Sequence, residues 1–342
     1  MNHVERFMAT IERRPTDRPA SWLGIPDTAA LPDLFSYFKV NSIDELKACI
    51  NDDVYSIEMP YHSPTANAIY TALDFAKERS NTEAERTLTA PGFFEFISDP
   101  AEIDSFPWPD PAKYIDPEEC RRVVEDIPPG YAVMGVVWSS HFQDACAAFG
   151  METALIKMML EPDMFRAVID RIVDFYLKAN EIFYEATKGK LHAVLIGNDF
   201  GSQCNLMVSP DELRTFVFEG TQKLIDQAKR YNLKVVHHSC GSIYDIIPDL
   251  IEMGVDAIHP IQALASRMEP DRLKKDFGDQ VAFCGGVDAQ HLLVNGTPEK
   301  VGEKVKELME IFPTGLIISP SHEAILTDIP PANIESLFNA LK

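Results

Sequence analysis

The stretch Leu233-Lys234-Val235-Val236-His237-His238-Ser239-Cys240-Gly241 is an apolar run, typical of a buried strand, that ends in an imidazole and a thiol. Alternate residues of a strand face the same side, so His238 and Cys240 should project together from its C-terminal end. By the same alternation, His237 should point away and be structural. A second apolar run ends at His322. If the two strand ends are neighbours, His238, Cys240 and His322 could hold zinc with one open position. The alternative is a half-buried histidine and a structural cysteine.

The composition is typical of a large cytoplasmic protein. The 342 residues are 46% hydrophobic, enough for a sizeable core, and no apolar run is long enough to cross a bilayer. The start of the chain lacks the apolar core of a signal peptide, and six scattered cysteines suit a reducing compartment, so we expect a cytoplasmic location. A net charge of −22 would repel phosphate backbones, so we expect no nucleic acid partner and no membrane partner.

Strand-like runs alternate with amphipathic helical patterns along the chain, which is typical of a parallel sheet. Eight runs are predicted as strands: 19–23, 54–59, 132–138, 193–198, 234–240, 257–261, 281–286 and 316–321. Eight βα units predict a single (β/α)8 barrel, or TIM barrel, over residues 1–342, with its site at the C-terminal strand ends. An open doubly wound sheet is the alternative, but no Gly-x-Gly-x-x-Gly follows the first strand.

The segment between predicted strands two and three is too long for one helix and a loop. Residues 61–129 are therefore predicted to be an insertion, with a hairpin-like stretch at 86–96. Its continuation is predicted to be irregular because it is rich in proline, at Pro107, Pro109, Pro111 and Pro117. No boundary indicates a second domain.

Polar side chains are concentrated at the predicted C-terminal strand ends. They are Trp138, Ser139 and His141 after strand three, Asn198, Asp199 and Gln203 after strand four, His238 and Cys240 at strand five, His259 and Gln262 at strand six, Cys284 and Asp288 at strand seven, and His322 at strand eight. Such a concentration at one rim favours a functional site over packing. Individually, His259 could satisfy a backbone carbonyl, Asp199 could cap a turn, and Cys284 fits the core.

Several motifs taken together indicate a family resemblance. They are Arg6-Phe7, Arg14-Pro15-Thr16-Asp17-Arg18-Pro19, Gly135-Val136-Val137-Trp138, Gly285-Gly286-Val287-Asp288 and Pro330-Pro331-Ala332-Asn333-Ile334. With these motifs in this order, the chain resembles the uroporphyrinogen decarboxylase superfamily over essentially its whole length. The resemblance implies a single (β/α)8 barrel. It also implies one of two activities: decarboxylation of porphyrinogens, or zinc-dependent transfer of methyl groups to or from a corrinoid protein.

The chain departs from the decarboxylase branch where that branch binds substrate carboxylates. The branch carries Arg-Gln-Ala-Gly-Arg after the first strand, whereas this chain reads Trp22-Leu23-Gly24-Ile25-Pro26-Asp27. Arginine binds carboxylates in a bidentate manner, so its absence disfavours a highly carboxylated tetrapyrrole. The tyrosine that follows strand three in that branch is missing from residues 139–148, and the residues around Glu58 do not match those around its catalytic aspartate.

The methyltransferase branch has His-x-Cys at the end of strand five and a cysteine ligand in a Pro-Gly-Cys-Gly turn after strand eight. This chain keeps His238 and Cys240 and reads Pro320-Ser321-His322-Glu323 at the turn, so the resemblance implies zinc bound by His238, Cys240 and His322. A neutral imidazole in place of a thiolate would leave zinc a stronger Lewis acid, which favours an ether-type donor. The predicted function is zinc-dependent transfer of a methyl group from a small ether-type substrate to a corrinoid protein.

Further roles are predicted from position at the rim. Asp199 or Gln203 could orient or protonate the leaving group, and Asp288 could orient a ligand imidazole. The expected cofactors are zinc and a corrinoid (cobalamin), and the expected partners are a small methyl donor and the protein that carries the corrinoid. The predicted catalytic residues are Asp199, Gln203 and His141, and the predicted substrate-binding residues are Trp138, His259 and Gln262.

Other functions stay open at this stage. A decarboxylase-like enzyme, or a metal-dependent hydrolase or lyase acting on a small carboxylated substrate, could use the same residues with Asp199 as the base. A catalytically silent binding barrel would hold no metal. The sequence also leaves open whether the protein forms a homodimer and whether Cys284 replaces or supplements a ligand.

Overall fold

Parallel strands alternate with helices in the computed structural model, which describes residues 1–62 and 92–342. The strands in these ranges are β1 (Ile25–Pro26), β2 (Val54–Glu58), β3 (Ala132–Trp138), β4 (Ala193–Gly197), β5 (Lys234–His238), β6 (Ala257–Ile261), β7 (Ala282–Val287), β8 (Leu316–Pro320) and β9 (Ala324–Ile325). The helices are α1 (His3–Ile11), α2 (Leu31–Phe38), α3 (Ile43–Ile50), α4 (Pro117–Glu125), α5 (His141–Phe149), α6 (Met151–Leu160), α7 (Pro162–Ala186), α8 (Pro210–Phe216), α9 (Phe218–Arg230), α10 (Ile247–Glu252), α11 (Pro270–Phe277), α12 (Leu292–Asn295), α13 (Pro298–Ile311) and α14 (Pro331–Asn339). None of these helices combines the length and the apolar character that a membrane span requires.

Strands β2 to β8 form one curled parallel sheet in chain order. Continuous buried runs such as β4 and β6 suit a parallel sheet that is covered on both faces. The predicted α/β class and TIM-barrel-like fold are confirmed. Strand β5 lies between β4 and β6, and its last residue, His238, is aligned with Gly197 on one side and His259 on the other.

The seam between the first and last strands differs from the prediction. The segment predicted as strand one, 19–23, forms an isolated bridge between Ser21 and Ile318 of β8 rather than a regular strand. Trp22 N donates to Ile318 O over 3.0 Å and thereby supports the bridge. The regular pairing comes later, where β1 pairs with β9.

On the other side of this seam, carboxylate side chains supplement a single backbone hydrogen bond, from Asp53 N to Ser21 O over 3.3 Å. Ser21 N donates to Asp53 Oδ2 over 2.9 Å, and Leu23 N donates to Asp52 Oδ2 over 3.1 Å. Both carboxylates belong to residues that immediately precede β2 and are fully buried. Side-chain hydrogen bonds therefore join the first segment to β2.

Helix α1 closes the N-terminal end of the barrel. Phe7 and Ile11 pack into the barrel interior with the first residues of β2, β3 and β4. Arg6 fixes the helix by donating to Asp53 over 2.6 Å and to Asp17 over 2.8 Å. The site must therefore lie at the opposite, C-terminal end.

The described part of the predicted insertion at 61–129 is more regular than expected. Residues 63–91 lie outside the described residues, and with them part of the predicted hairpin at 86–96; residues 93–96 form turns. Three helical segments begin at Asp99-Pro100, Asp110-Pro111 and Asp116-Pro117, each aspartate accepting from the N–H two residues on. Of the four prolines, Pro107 and Pro109 lie outside any helix or strand, whereas Pro111 and Pro117 begin helical segments, because aspartate caps a helix and proline suits its first turn.

Candidate metal centre

The C-terminal ends of β5 and β6 carry the centre of the site. His238 is brought close to β4 because Gly197 has no side chain; a Cβ there would lie 2.1 Å from His238 O. His259 of β6 is aligned with His238, and the two imidazole centroids are 5.0 Å apart. His237 lies on the opposite face, fully buried and stacked on Phe200, as strand alternation predicts.

Two atoms of metal-ligand type converge on a third, Nε2 of His238. Cys240 Sγ lies 3.6 Å from this nitrogen, and Asp199 Oδ1 lies 3.3 Å from it. With zinc bonds of about 2.0–2.3 Å, a tetrahedral site requires sulfur–nitrogen and oxygen–nitrogen separations of roughly 3.6 and 3.3 Å. The thiol, the imidazole and the carboxylate therefore fit a tetrahedral zinc site.

The other nitrogen of His238 faces a second group. Nδ1 lies 2.9 Å from His259 Nδ1 and 3.6 Å from Glu323 Oε2. Glu323 Oε2 is also 3.6 Å from His322 Nδ1. Within the described ranges, His259 Nε2 and Glu323 Oε2 are buried and have no hydrogen-bond partner. Buried polar atoms are usually hydrogen-bonded, so these two require an explanation.

The charges of the site reinforce one another around His238. Burial would lower the pKa of this imidazole, but the charges of Glu323 and Cys240 and the hydrogen bond to Asp199 raise it well above its usual value. Burial would raise the pKa of Asp199, but His238 outweighs burial and lowers the pKa to about 2. Burial raises the pKa of the Cys240 thiol. A bound dication would reverse this effect by stabilising the thiolate.

The carboxylate of Asp199 is oriented by two hydrogen bonds. Cys240 N donates to Oδ1 over 2.9 Å, and Gln143 Nε2 donates to Oδ2 over 3.1 Å. No sequence signal singles out Gln143, which lies near the start of α5 and is brought to the site by that helix. These contacts fix the direction in which Asp199 faces His238.

The indole ring of Trp138 borders the site at the end of β3. The Trp138 ring meets the His238 ring edge to face at 5.4 Å, and Trp138 Nε1 donates to Glu58 over 3.4 Å. Trp138 and Ser139 have φ angles of 50° and 59°, a left-handed conformation that is strained in non-glycine residues. Strain of this kind is concentrated at functional sites.

The structure brings five of the predicted site residues together and leaves others apart. Those together are Asp199, His238, Cys240, His259 and Trp138. His141 is fully buried at the start of α5, and each of its two ring nitrogens lies 3.1 Å from a backbone carbonyl oxygen. Gln262 accepts from Gly241 N over 2.7 Å, and Gln203 Nε2 donates to Gln290 over 3.2 Å.

His322 is close to the centre but is not among the converging atoms. Its side chain is 46% exposed, and its Nδ1 accepts from Ala324 N over 3.0 Å. The neighbouring Glu323, for which the sequence predicts no role, points inward instead. Alternation no longer determines side-chain direction beyond the end of β8, so the sequence could not distinguish the two residues.

Two residues of β7 and its loop have structural surroundings. Asp288 accepts hydrogen bonds from the N–H groups of Gln290, His291 and Leu292 at the start of α12, so its observed contacts are those of a helix cap. Cys284 is buried in the barrel interior.

Comparison with known proteins assigns the chain to a family. A family model described as uroporphyrinogen decarboxylase (URO-D) matches residues 82–342. The chain belongs to this family. It is 23% identical over 158 residues to a methylated-thiol--coenzyme M methyltransferase of Methanosarcina mazei, a match that covers 46% of this chain and 40% of that protein. It is 26% identical over 121 residues to the methylcobamide:CoM methyltransferase MtbA of Methanosarcina acetivorans, covering 35% of this chain and 33% of that protein.

These matches span less than half of the length of each curated relative. A solved methyltransferase from Methanosarcina mazei aligns over 99% of this chain and 98% of its own, with a TM-score of 0.68 and 17% identity. At this identity the likeness shows the fold alone. The family prediction is confirmed, and the relatives named here are methyltransferases, the branch that the motifs favour.

Proposed function

We propose that this protein is a zinc-dependent methyltransferase that moves a methyl group from a small methylated substrate to a corrinoid carried by a separate protein, within one domain over residues 1–342. The convergence of Cys240 Sγ and Asp199 Oδ1 on His238 Nε2, at separations that suit tetrahedral zinc, carries the proposal. Three protein ligands with an open fourth position are typical of catalytic zinc. The methyltransferase names of the curated relatives support the reaction type.

The proposed ligands are His238, Cys240 and Asp199. This set replaces His322 by Asp199, because Asp199 Oδ1 lies 3.3 Å from His238 Nε2 whereas His322 is half exposed. The prediction of an ether-type donor depends on a neutral third ligand that leaves zinc more Lewis acidic. A carboxylate ligand is negatively charged and does not make zinc more Lewis acidic, so an ether is no longer favoured over a thioether. The proposal therefore covers both ether-type and thioether-type methyl donors.

Each part of the site has a defined task in this proposal. When bound, zinc supplies a Lewis acid for the heteroatom of the methyl donor, and the corrinoid supplies the nucleophile that accepts the methyl group. Gln143 and Cys240 N hold the Asp199 carboxylate toward His238. The Trp138 ring covers one side of His238 and excludes water from it.

Decarboxylation of uroporphyrinogen is not proposed, although the family bears that name. No lysine or arginine contacts Asp199, His238 or Glu323 in the part of the chain that the structure describes. A substrate with many carboxylates would meet a site that is itself rich in carboxylates, and repulsion would oppose binding.

The test combines metal content with methyl transfer. Elemental analysis of protein purified without chelators should give close to one zinc per chain, and Cys240→Ala should lose it. Zinc-loaded protein should then convert free cob(I)alamin to methylcobalamin, followed by absorbance, with simple methyl ethers or thioethers as donors. Absence of zinc from the wild type would refute the proposal. Zinc-dependent hydrolysis without cobalamin methylation would instead favour a hydrolase.

A further inference from the structure

The second face of His238 carries two residues that the proposed zinc site does not use. His259 Nδ1 and Glu323 Oε2 lie 2.9 Å and 3.6 Å from His238 Nδ1, whereas Cys240 and Asp199 face Nε2. The two ring nitrogens of an imidazole point in different directions, so these groups cannot share one metal ion with Cys240 and Asp199 through His238. His259 and Glu323 therefore form an outer group on the Nδ1 side.

We propose that His259 and Glu323 are positioning residues that keep a proton on Nδ1 of His238 and leave Nε2 free for the metal, an inference that rests on the proposed zinc site. A ligating histidine usually donates its other N–H to an acceptor, which fixes the tautomer and the orientation of the ring. His259 Nδ1 is within hydrogen-bond distance to be that acceptor. The carboxylate of Glu323 lies on the same side and favours a proton there.

Both positioning residues are held by elements other than β5. His259 is fully buried on β6, and its ring packs against Trp22 at 5.1 Å. Glu323 follows β8, and its backbone oxygen accepts from Ile25 N over 2.6 Å. The His238 ring is therefore constrained from two sides of the barrel mouth, independently of its own strand.

The proposed tautomer also accounts for the unpartnered nitrogen of His259. If Nδ1 of His259 accepts from His238, its own proton is on Nε2, which is buried without a partner among the described residues. A buried donor without an acceptor is destabilising. Stability alone therefore does not explain this pair of histidines, whereas orientation of a metal ligand does.

Zinc affinity, measured by competition with a chromophoric chelator, tests the inference. His259→Leu removes the acceptor and should weaken zinc binding by about 10- to 100-fold. His259→Asn supplies a side-chain oxygen and should retain most of the affinity. Glu323→Gln, which removes only the charge, should weaken binding by a smaller factor. Asp328→Asn removes an exposed carboxylate from the next loop, between β9 and α14, and should bind zinc like the wild type.

Nitrogen NMR of the zinc-loaded protein gives a second readout, with the proton of His238 expected on Nδ1. Wild-type affinity in both His259→Leu and Glu323→Gln, or a proton on Nε2 of His238, would overturn the inference. If His259→Leu does not fold, Glu323→Gln and the NMR measurement decide. Failure of the wild type to bind zinc would refute the proposed function itself, so the two failures are distinguishable.

Discussion

The two ends of the barrel both bury charged groups, but only one end balances them. At the N-terminal end, fully buried Asp53 accepts from Arg6 and Arg18 over 2.6 Å each, and Lys47 donates to Asp52 over 2.7 Å. Each carboxylate there has a cation of the chain beside it. The network joins α1 and the first segment to β2 and is structural.

The C-terminal end has the opposite balance. In the described residues, Asp199 and Glu323 have only histidine as a cationic partner, and the Cys240 thiol lies 3.6 Å from His238 Nε2, on the same side as Asp199. These carboxylates are partly withdrawn from water, Asp199 with 35% and Glu323 with 14% of the side chain exposed, and a bound cation would stabilise them. The balance of charged partners, rather than the presence of buried charge, distinguishes the scaffold from the site.

The largest effect on stability should come from removing a buried carboxylate at the N-terminal end of the barrel. Asp53→Ala leaves Arg6 and Arg18 without their buried partner and should lower the free energy of unfolding by about 3–5 kcal/mol. Asp17→Ala removes a partner of the same Arg6 that is 44% exposed, and should cost about 1 kcal/mol or less. Urea denaturation of both variants checks this. Equal losses would remove the distinction between the buried and the exposed partner.

At the C-terminal end of the barrel, substitution of a proposed zinc ligand should affect metal binding far more than stability. Cys240→Ala should weaken zinc binding by more than the roughly 10- to 100-fold that is typical of outer-shell partners. The free energy of unfolding of the metal-free protein should change by about 1 kcal/mol or less. Chelator competition and urea denaturation on one preparation check both. A large loss of stability with unchanged zinc affinity would place Cys240 in the scaffold.

His141 lies at the start of α5, outside the metal centre, and its substitution tests how a buried histidine affects stability as the pH changes. Burial lowers its pKa below the usual 6.5, so the unfolded chain binds this proton more readily than the folded chain. Keeping this imidazole neutral therefore contributes fully to the free energy of unfolding at pH values above the ordinary pKa. The contribution is lost as the pH falls from the ordinary pKa toward the lower pKa of the folded protein. His141→Gln should therefore show a weaker decline in the free energy of unfolding from about pH 7 to pH 5. An unchanged decline would contradict this account of His141.

The smallest effect is expected at His322. Because its side chain is half exposed and outside the converging group, His322→Ala should change zinc affinity by no more than roughly twofold, as is usual for surface substitutions. The same chelator competition measures it. A loss of zinc as complete as that of Cys240→Ala would restore the site of two histidines and one cysteine that the sequence predicts, in place of Asp199.

The sequence predicted most of the barrel because most of its strands are largely apolar runs whose ends are marked by polar residues. It could not predict the seam at 19–23, where carboxylates of Asp52 and Asp53 supply hydrogen bonds in place of a regular strand ladder. The placement of His238 followed from strand alternation. His141 was predicted at the site because it follows strand three, but it begins α5, and its ring is buried against backbone carbonyls instead.

The seam at Ser21 has a consequence for the dynamics of the barrel. Neighbouring strands elsewhere share ladders of several aligned residues, whereas this segment is joined to β8 by a single bridge. The ring of strands should therefore open here first, and the amide hydrogens of Trp22 and Ile318 should exchange with solvent before those of β4 and β5. Because Asp53 ties this segment to Arg6 of α1, the first helix and the seam should open together as one cooperative unit.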